Sequence, residues 1–266
     1  MKKAVALLGA CHPGPALAVT LLAGLLARAV GLGAGGIALV VAAVLAGQLS
    51  IGWSNDLIDL ARDRTVGRED KPLVDGRVSE LSVRIACGIA LVATVPLSLA
   101  CGWLAGLVHL VCVAAGWAYN LGVKATPWSW LPYAVAFGGL PAFISLTANP
   151  DALPPLWMSL AGALLGVGAH FVNVLPDLAD DAATGVRGLP HRLGARWSQV
   201  VAATVLVVAA VVIVVGAPVE SGPVAALALV VTAGLAVVAL VSHGRAPFRA
   251  AIAMSLVDVA MLVWAR

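Results

Sequence analysis

Between Val201 and Val215 the chain runs fifteen residues without a charge, and Thr204 carries the only polar side chain among them. Nothing in the run alternates, as a membrane β-barrel strand must, with lipid-facing and lumen-facing residues taking turns. An α-helix needs about 20 apolar residues to cross a bilayer's hydrocarbon, and a helix satisfies its own backbone polar groups there. Nine such runs are legible: residues 12–29, 34–54, 82–99, 101–119, 130–148, 156–175, 198–216, 222–242 and 249–265. Of the 266 residues, 61% are hydrophobic and 11% charged, against about half and about a quarter in soluble domains. The sequence predicts an all-α, polytopic membrane protein of nine transmembrane helices, with residues 1–266 forming a single domain in the lipid bilayer. Short turns such as Gly31–Gly36, Asn149–Pro155 and Gly216–Pro223 separate several runs, and two polar stretches are longer, Asn55–Leu81 and Leu175–Trp197.

Lys2 and Lys3 precede an apolar stretch, as in a signal peptide, but the next run follows almost at once and no small-residue cleavage site intervenes. The first run is therefore read as a retained span. Cys11, Cys87, Cys101 and Cys112 are scattered, with no C-x-x-C, and read as packing residues rather than a disulfide framework.

Orientation follows from the basic residues, which collect on the cytoplasmic side. Nine spans with the N-terminus inside place Lys2, Lys3, Arg62, Arg64, Arg68, Lys71, Arg77, Arg84, Lys124, Arg187, Arg192, Arg196, Arg245 and Arg249 on that face, which is 14 of the 16 Lys and Arg. Arg28 and Arg266 take the other, and the outer loops carry little beyond Asp151 and Glu220. A miscounted span would scatter the cations over both faces. The expected location is a cell membrane, with the chemistry on its cytoplasmic side.

That chemistry is written twice. Asn55, Asp59 and Asp63 form N-x-x-x-D-x-x-x-D, and Asn173, Asp177 and Asp181 repeat it 118 residues later. Carboxylates beside a membrane are costly and mark function by default. Steps of four residues drift only about 40° on a helix, so each row shares one face. Such oxygen ligands suit Mg²⁺, which typically takes one or two carboxylates together with phosphate oxygens. Asp56 sits about 100° round from the first row, to orient it or to meet a second ion, and Asp180 belongs to the second cluster. A solvated helix end would account for one copy, but not for two. Asn173 lies inside an apolar run, where an unpaired amide costs free energy, and Pro176 should break the helix there. The metal ligands expected are thus Asn55, Asp56, Asp59, Asp63, Asn173, Asp177, Asp180 and Asp181.

Cations flank both clusters: Arg62, Arg64, Arg68 and Lys71 after the first, Arg187 and Arg192 after the second, with Lys124 following Tyr119 at the end of the fourth run. Some of these only set topology, which is the reading for Arg77, Arg84 and Arg196. Acid rows with nearby cations otherwise suit a metal-bound diphosphate. Trp53, Trp117, Tyr119, Phe137 and Phe171 lie in or beside the nearest spans and could face a carbocation or simply pack. His109 and His170 read as hydrogen-bonded core histidines, and His12 and His191 have no partner legible from spacing.

The run Asn55-Asp56-x-x-Asp59-x-x-x-Asp63, followed by Lys71-Pro72-Leu73-Val74-Asp75-Gly76, resembles the first motif region of the UbiA superfamily of intramembrane prenyltransferases. That family commonly reads N-D-x-x-D-x-x-x-D and then R-P-L-x-x-G. Lys71 stands in place of the arginine, keeping the charge and losing the guanidinium fork. Asp177 to Asp181, then Gly185, Leu189 and Leu193-Gly194, are similar to the second region, and Tyr119 to Lys124 to a Tyr…Lys segment after the fourth span. The resemblance implies a helical bundle around a central cavity and Mg²⁺-dependent binding of a polyprenyl diphosphate. It implies catalytic, metal–diphosphate roles for Asp59, Asp63, Asp177 and Asp181, substrate contacts by Asn55, Asn173, Lys71, Tyr119 and Lys124, and an acceptor, usually an aromatic ring. Arg68, in the same basic loop, joins the expected substrate contacts. The expected reaction is ionisation of the allylic diphosphate and transfer of the prenyl group. A UbiA-type terpene cyclase would keep both motifs and need no acceptor. An ion-coupled transporter would need polar residues on both faces, and Asp258 is the sole mid-span carboxylate. Nothing points to nucleic acid.

Overall fold

The computed structural model of the chain describes residues 2–68, 71–183, 185–217, 222–242 and 246–264, apart from the side chains of Lys2, Ala179, Asp180 and Ala183. The role expected of the Asp180 side chain therefore lies outside the described residues, as do Glu220, Arg245 and Arg266. The described residues are helical, without strands, and the helices fall close to the predicted runs. They are α1 (Lys2–Gly9), α2 (Pro13–Ala29), α3 (Ala34–Thr65), α4 (Glu80–Ala100), α5 (Trp103–Leu121), α6 (Leu131–Ala148), α7 (Leu156–Val174), α8 (Leu178–Ala183), α9 (Leu189–Gly216), α10 (Gly222–Val241) and α11 (Ala246–Trp264). Eight are long and apolar enough to span a membrane, and α1 and α2, bent by 70° from each other, would be a ninth if counted as one span. The chain is built as a multi-pass membrane protein.

Two compact units divide it, residues 1–121 with 143–151 and residues 122–142 with 152–266. In the first unit α3 packs against α2, α4 and α5. Small residues allow the close approaches: a Cβ on Gly52 would lie 2.0 Å from the carbonyl oxygen of Cys11, and one on Gly106 would lie 2.6 Å from that of Ser98. At one end of α3 a buried apolar cluster of Ala6, Ala10, Trp53, Leu60, Leu73, Val78 and Val83 ties α1 to α3, to the loop after α3 and to α4. The four cysteines are buried and none forms a disulfide. Ser79 caps α4, accepting the Ser82 N–H at 3.2 Å.

The second predicted span, 34–54, and the helical row Asn55–Asp63 after it form one helix. The helix continues to Thr65, because Leu57 and Leu60 keep an apolar face on that cluster while the aspartates take the other positions. It ends in a Schellman turn: Gly67 has φ +68°, its N–H bonds Arg64 O at 3.3 Å, and Arg68 N–H bonds Asp63 O at 3.0 Å.

In the second unit α9 packs on α7, α10 and α11. The Arg196 guanidinium donates to Leu240 O at 2.5 Å in the last turn of α10, where cations satisfy orphan carbonyls. Asp258 on α11 is fully buried, with Thr232 of α10 donating to it at 3.4 Å. Pro176 breaks the helix as expected: α7 ends at Val174, a 3₁₀ turn spans Leu175–Asp177, and α8 begins at Leu178. The second motif is therefore spread over α7, the 3₁₀ turn and α8, where the first lies on one helix.

Candidate active site

The first motif lies on one helix. Asp56, Asp59 and Asp63 lie on the last turns of α3 and are all buried. Buried carboxylates must be paired, and here the chain's own cations do it. Lys71 Nζ lies 3.0 Å from Asp56 Oδ1 and 2.7 Å from Asp63 Oδ2. Arg62 reaches Asp59 at 2.9 Å and approaches Asp63 at 3.8 Å. His12 Nε2 meets Asp56 Oδ1 at 3.1 Å. Burial opposes the charge on Lys71, but the carboxylates of Asp56 and Asp63 outweigh it and hold its pKa above the usual lysine value.

The loop that returns Lys71 to α3 follows from local sequence. After the Gly67 turn, Lys71 N–H bonds Arg68 O at 3.0 Å, Val74 N–H bonds Lys71 O at 3.0 Å and Val78 N–H bonds Pro72 O at 3.2 Å. Leu73 and Val78 then anchor the loop in the apolar cluster, and Gly76 supplies a second left-handed turn at φ +78°. Arg68 is half-buried in this loop.

Asn55 is held from α5. Its Nδ2 donates to Asn120 Oδ1 at 3.1 Å, and Asn120 in turn donates to Ile51 O at 2.9 Å and Ser54 Oγ at 2.8 Å. The carbonyl oxygen is the atom of the Asn55 amide left for a ligand. Tyr119, half-buried, precedes Asn120 on α5.

In the second unit Asn173 is exposed rather than buried in the apolar run, since it sits in the last turn of α7 beside the Pro176 break; its Nδ2 lies 3.5 Å from Tyr133 Oη. Asp177 closes the 3₁₀ turn and Asp181 sits on α8, both half-buried. His191, from the first turn of α9, lies 3.4 Å from Asp181 Oδ2. Lys124 lies in a 3₁₀ turn, Val123–Ala125, whose backbone packs on Gly188. Ser129 Oγ accepts the Leu189 N–H at 2.9 Å and meets His170 Nε2 at 3.0 Å, so one hydroxyl joins that segment to α7 and α9.

Carboxylate and amide oxygens are the donors Mg²⁺ takes, and the first motif already draws an ammonium between two of its carboxylates. The residues fit such an ion. Among the described residues no three acidic, histidine or cysteine side chains close a metal cage by themselves.

The sequence matches the UbiA prenyltransferase family over residues 16–264. The chain belongs to that family. It is 31% identical over 240 residues to the bacteriochlorophyll synthase 33 kDa chain of Cereibacter sphaeroides, covering 83% of this chain and 78% of that one. It is 32% identical over 162 residues to a digeranylgeranylglyceryl phosphate synthase of Methanothrix thermoacetophila, a match over 58% of this chain and 57% of the relative. Among solved structures, a UbiA homolog from Archaeoglobus fulgidus bound to GPP and Mg²⁺ superposes with a TM-score of 0.72 at 16% identity, over 98% of this chain and 99% of that one. An apo UbiA homolog from Aeropyrum pernix K1 gives 0.73 at 17% identity, over 99% and 98%. These likenesses establish the fold.

Sequence reasoning missed His12, Asn120, Tyr133 and His191 as neighbours of the motifs. Asn120 stands inside the quoted Tyr119–Lys124 segment, the only signal among them. Trp53 and Trp117, considered for cation stabilisation, spend their indole N–H groups inside the first unit, on Leu7 O at 2.9 Å and Ser50 Oγ at 3.2 Å. Phe171 is fully buried, and Phe137 stacks on Tyr133 with centroids 6.4 Å apart.

Proposed function

We propose that this protein is a Mg²⁺-dependent intramembrane prenyltransferase, ionising a polyprenyl diphosphate and passing the prenyl group to an acceptor, aromatic in our reading. The observation that carries this reading is the first motif: three buried carboxylates at one end of a membrane helix, with Lys71 drawn between two of them. Bound there, Mg²⁺ would bridge diphosphate oxygens and neutralise the charge that grows as the allylic C–O bond breaks. Asn55, Asp59 and Asp63 in the first motif, and Asn173, Asp177 and Asp181 in the second, are assigned as oxygen ligands of Mg²⁺. Asp56, occupied by Lys71 and His12, is assigned to holding those two side chains. Lys71, Arg68, Tyr119 and Lys124 are assigned to the diphosphate, where positive donors stabilise the leaving group. Apolar spans keep water from the carbocation.

The relatives favour transfer over cyclisation, since one is named a bacteriochlorophyll synthase chain and the other a digeranylgeranylglyceryl phosphate synthase. The excess of basic residues in the segments around both motifs supports a cytoplasmic site at the cell membrane. The test is a product assay on purified protein with Mg²⁺ and geranyl, farnesyl and geranylgeranyl diphosphates. Acceptors would be aromatic acids, a chlorophyllide and a glyceryl phosphate ether, with Asp59→Ala and Asp177→Ala as controls. Acceptor-dependent coupling lost in both variants is the expected result. A cyclic terpene formed without acceptor would make the protein a cyclase, and untouched diphosphate across the panel would refute the reading.

A further inference from the structure

The bend between α1 and α2 carries the only non-glycine residue with positive φ among the described residues, His12, at φ 53° and ψ 63°. A side chain in that left-handed conformation costs free energy and persists where its surroundings impose it. The surroundings here are specific. The Trp53 indole donates to Leu7 O at 2.9 Å, the Cys11 carbonyl packs where a Cβ on Gly52 would stand, and Pro72 packs against Gly9. These contacts press the bend onto α3 and onto the loop that carries Lys71. The imidazole that results lies 3.1 Å from Asp56 Oδ1, the same oxygen that Lys71 Nζ meets at 3.0 Å.

We propose that His12 is a positioning residue for the first motif: its Nε2 fixes the Asp56 carboxylate, and Asp56 fixes the Lys71 ammonium between itself and Asp63. Asp56 is almost wholly buried, so it has no water to replace a lost partner. With His12 holding Oδ1, the carboxylate keeps the rotation that puts Lys71 within reach of two anions. Without it, Asp56 keeps only a lysine that Asp63 also pulls, at 2.7 Å. A four-carbon stem is flexible enough to follow that pull. The backbone strain at residue 12 thus serves to aim the ring, and the bend joins the N-terminal helix to the cation nearest the motif.

The consequence for catalysis rests on the reading of Lys71 as a diphosphate contact; the consequence for Lys71 itself does not. The test therefore has two readouts on the full-length protein in detergent. The first is the rate of Lys71 acetylation by sulfo-NHS acetate at one pH, followed by peptide mass spectrometry with Lys3 and Lys124 as internal references. His12→Asn keeps a residue that tolerates the left-handed backbone but is too short to reach Asp56, so the bend stays folded; His12→Gln places a donor near the Nε2 position. Lys71 labelling should rise several-fold in His12→Asn, return toward wild type in His12→Gln, and leave the reference lysines unchanged. Wild-type labelling of Lys71 in His12→Asn would overturn the proposal. The second readout is turnover of geranyl diphosphate. His12→Asn should raise KM several-fold with kcat little changed, and the effect should disappear when Lys71→Met is already present. A fully additive effect would also overturn it. Should the wild type leave every prenyl diphosphate intact, the proposed function falls, and the labelling still decides the role of His12.

Discussion

Asn120 accepts the amide N–H of Asn55 at 3.1 Å while spending its own N–H₂ on Ile51 O and Ser54 Oγ. One buried side chain on α5 thereby fixes which atom of Asn55 is free to act as a ligand. Asn120→Ala should release that amide and leave the Ser54 hydroxyl and Ile51 carbonyl with fewer partners. The expected loss is ~1–3 kcal/mol of stability, the usual result of unmaking buried hydrogen bonds. Prenyl transfer should then need more Mg²⁺ for half-maximal rate. Thermal unfolding and a Mg²⁺ titration of activity check the two effects, and an unchanged Mg²⁺ requirement would remove Asn55 from the ligand set.

Lys71 supplies the second prediction. Replacing it by Met leaves Asp56 and Asp63 buried with less compensation, a change that costs about 3–5 kcal/mol when one partner of a buried pair is removed. Lys71→Arg keeps the charge and should retain much of the stability, although its planar fork fits the two oxygens differently. The pH dependence has a definite sign. The folded pKa of Lys71 is raised, so its contribution is complete below the unfolded lysine value of about 10.4 and is lost as pH climbs through the higher folded value. The stability difference between wild type and Lys71→Met should be flat through neutral pH and shrink only above that unfolded value. Denaturation series across alkaline pH measure this, and a difference that vanished near neutrality would contradict the ion pairs.

Gly67→Ala tests the turn that brings Lys71 back. No atom crowds the position, so the cost is backbone alone: φ is +68° at the C′ position of the Schellman motif. Loss of about 1 kcal/mol is expected, the usual penalty for a Cβ in the left-handed region. Because the Arg68-to-Asp63 hydrogen bond closes this turn, the variant should also raise the KM for the prenyl diphosphate. Gly234→Ala on α10, with open space around its Cβ and an ordinary helical backbone, should leave KM where it was.

The helices were legible because apolar runs of the right length have one stable form in lipid, and the break at Pro176 because a proline cannot donate to the ladder. The helical row Asn55–Asp63 was legible too, but not what carries α3 on past the span. Charges at Asn55–Asp63 mark where lipid exposure stops, not where the helix stops, and Leu57 and Leu60 carry it on by packing on one side only. The roles of His12 and Asn120 depend on partners 44 and 65 residues away, so no local spacing announces them. Asn173 misled for a similar reason: an apolar run implies burial only where neighbouring helices cover it, and Asn173 is exposed at the end of α7.

Gly188 links that second unit's backbone to its cation. A Cβ there would stand 2.6 Å from Lys124 O and 2.8 Å from Ser129 Oγ, the hydroxyl that accepts the Leu189 N–H and contacts His170. Gly188→Ala must therefore displace the Val123–Ala125 turn or the start of α9. Overpacking of this kind costs ~1–3 kcal/mol, so a lowered Tm is expected whatever Lys124 does. The functional content lies in a comparison with Ser129→Ala, which removes the Oγ shared by Leu189 and His170 without pushing on Lys124. At matched loss of Tm, Gly188→Ala should raise the KM for the prenyl diphosphate more than Ser129→Ala. Equal KM values in the two variants would show that the position of the Lys124 turn has no bearing on diphosphate binding, and Lys124 would leave the proposed site.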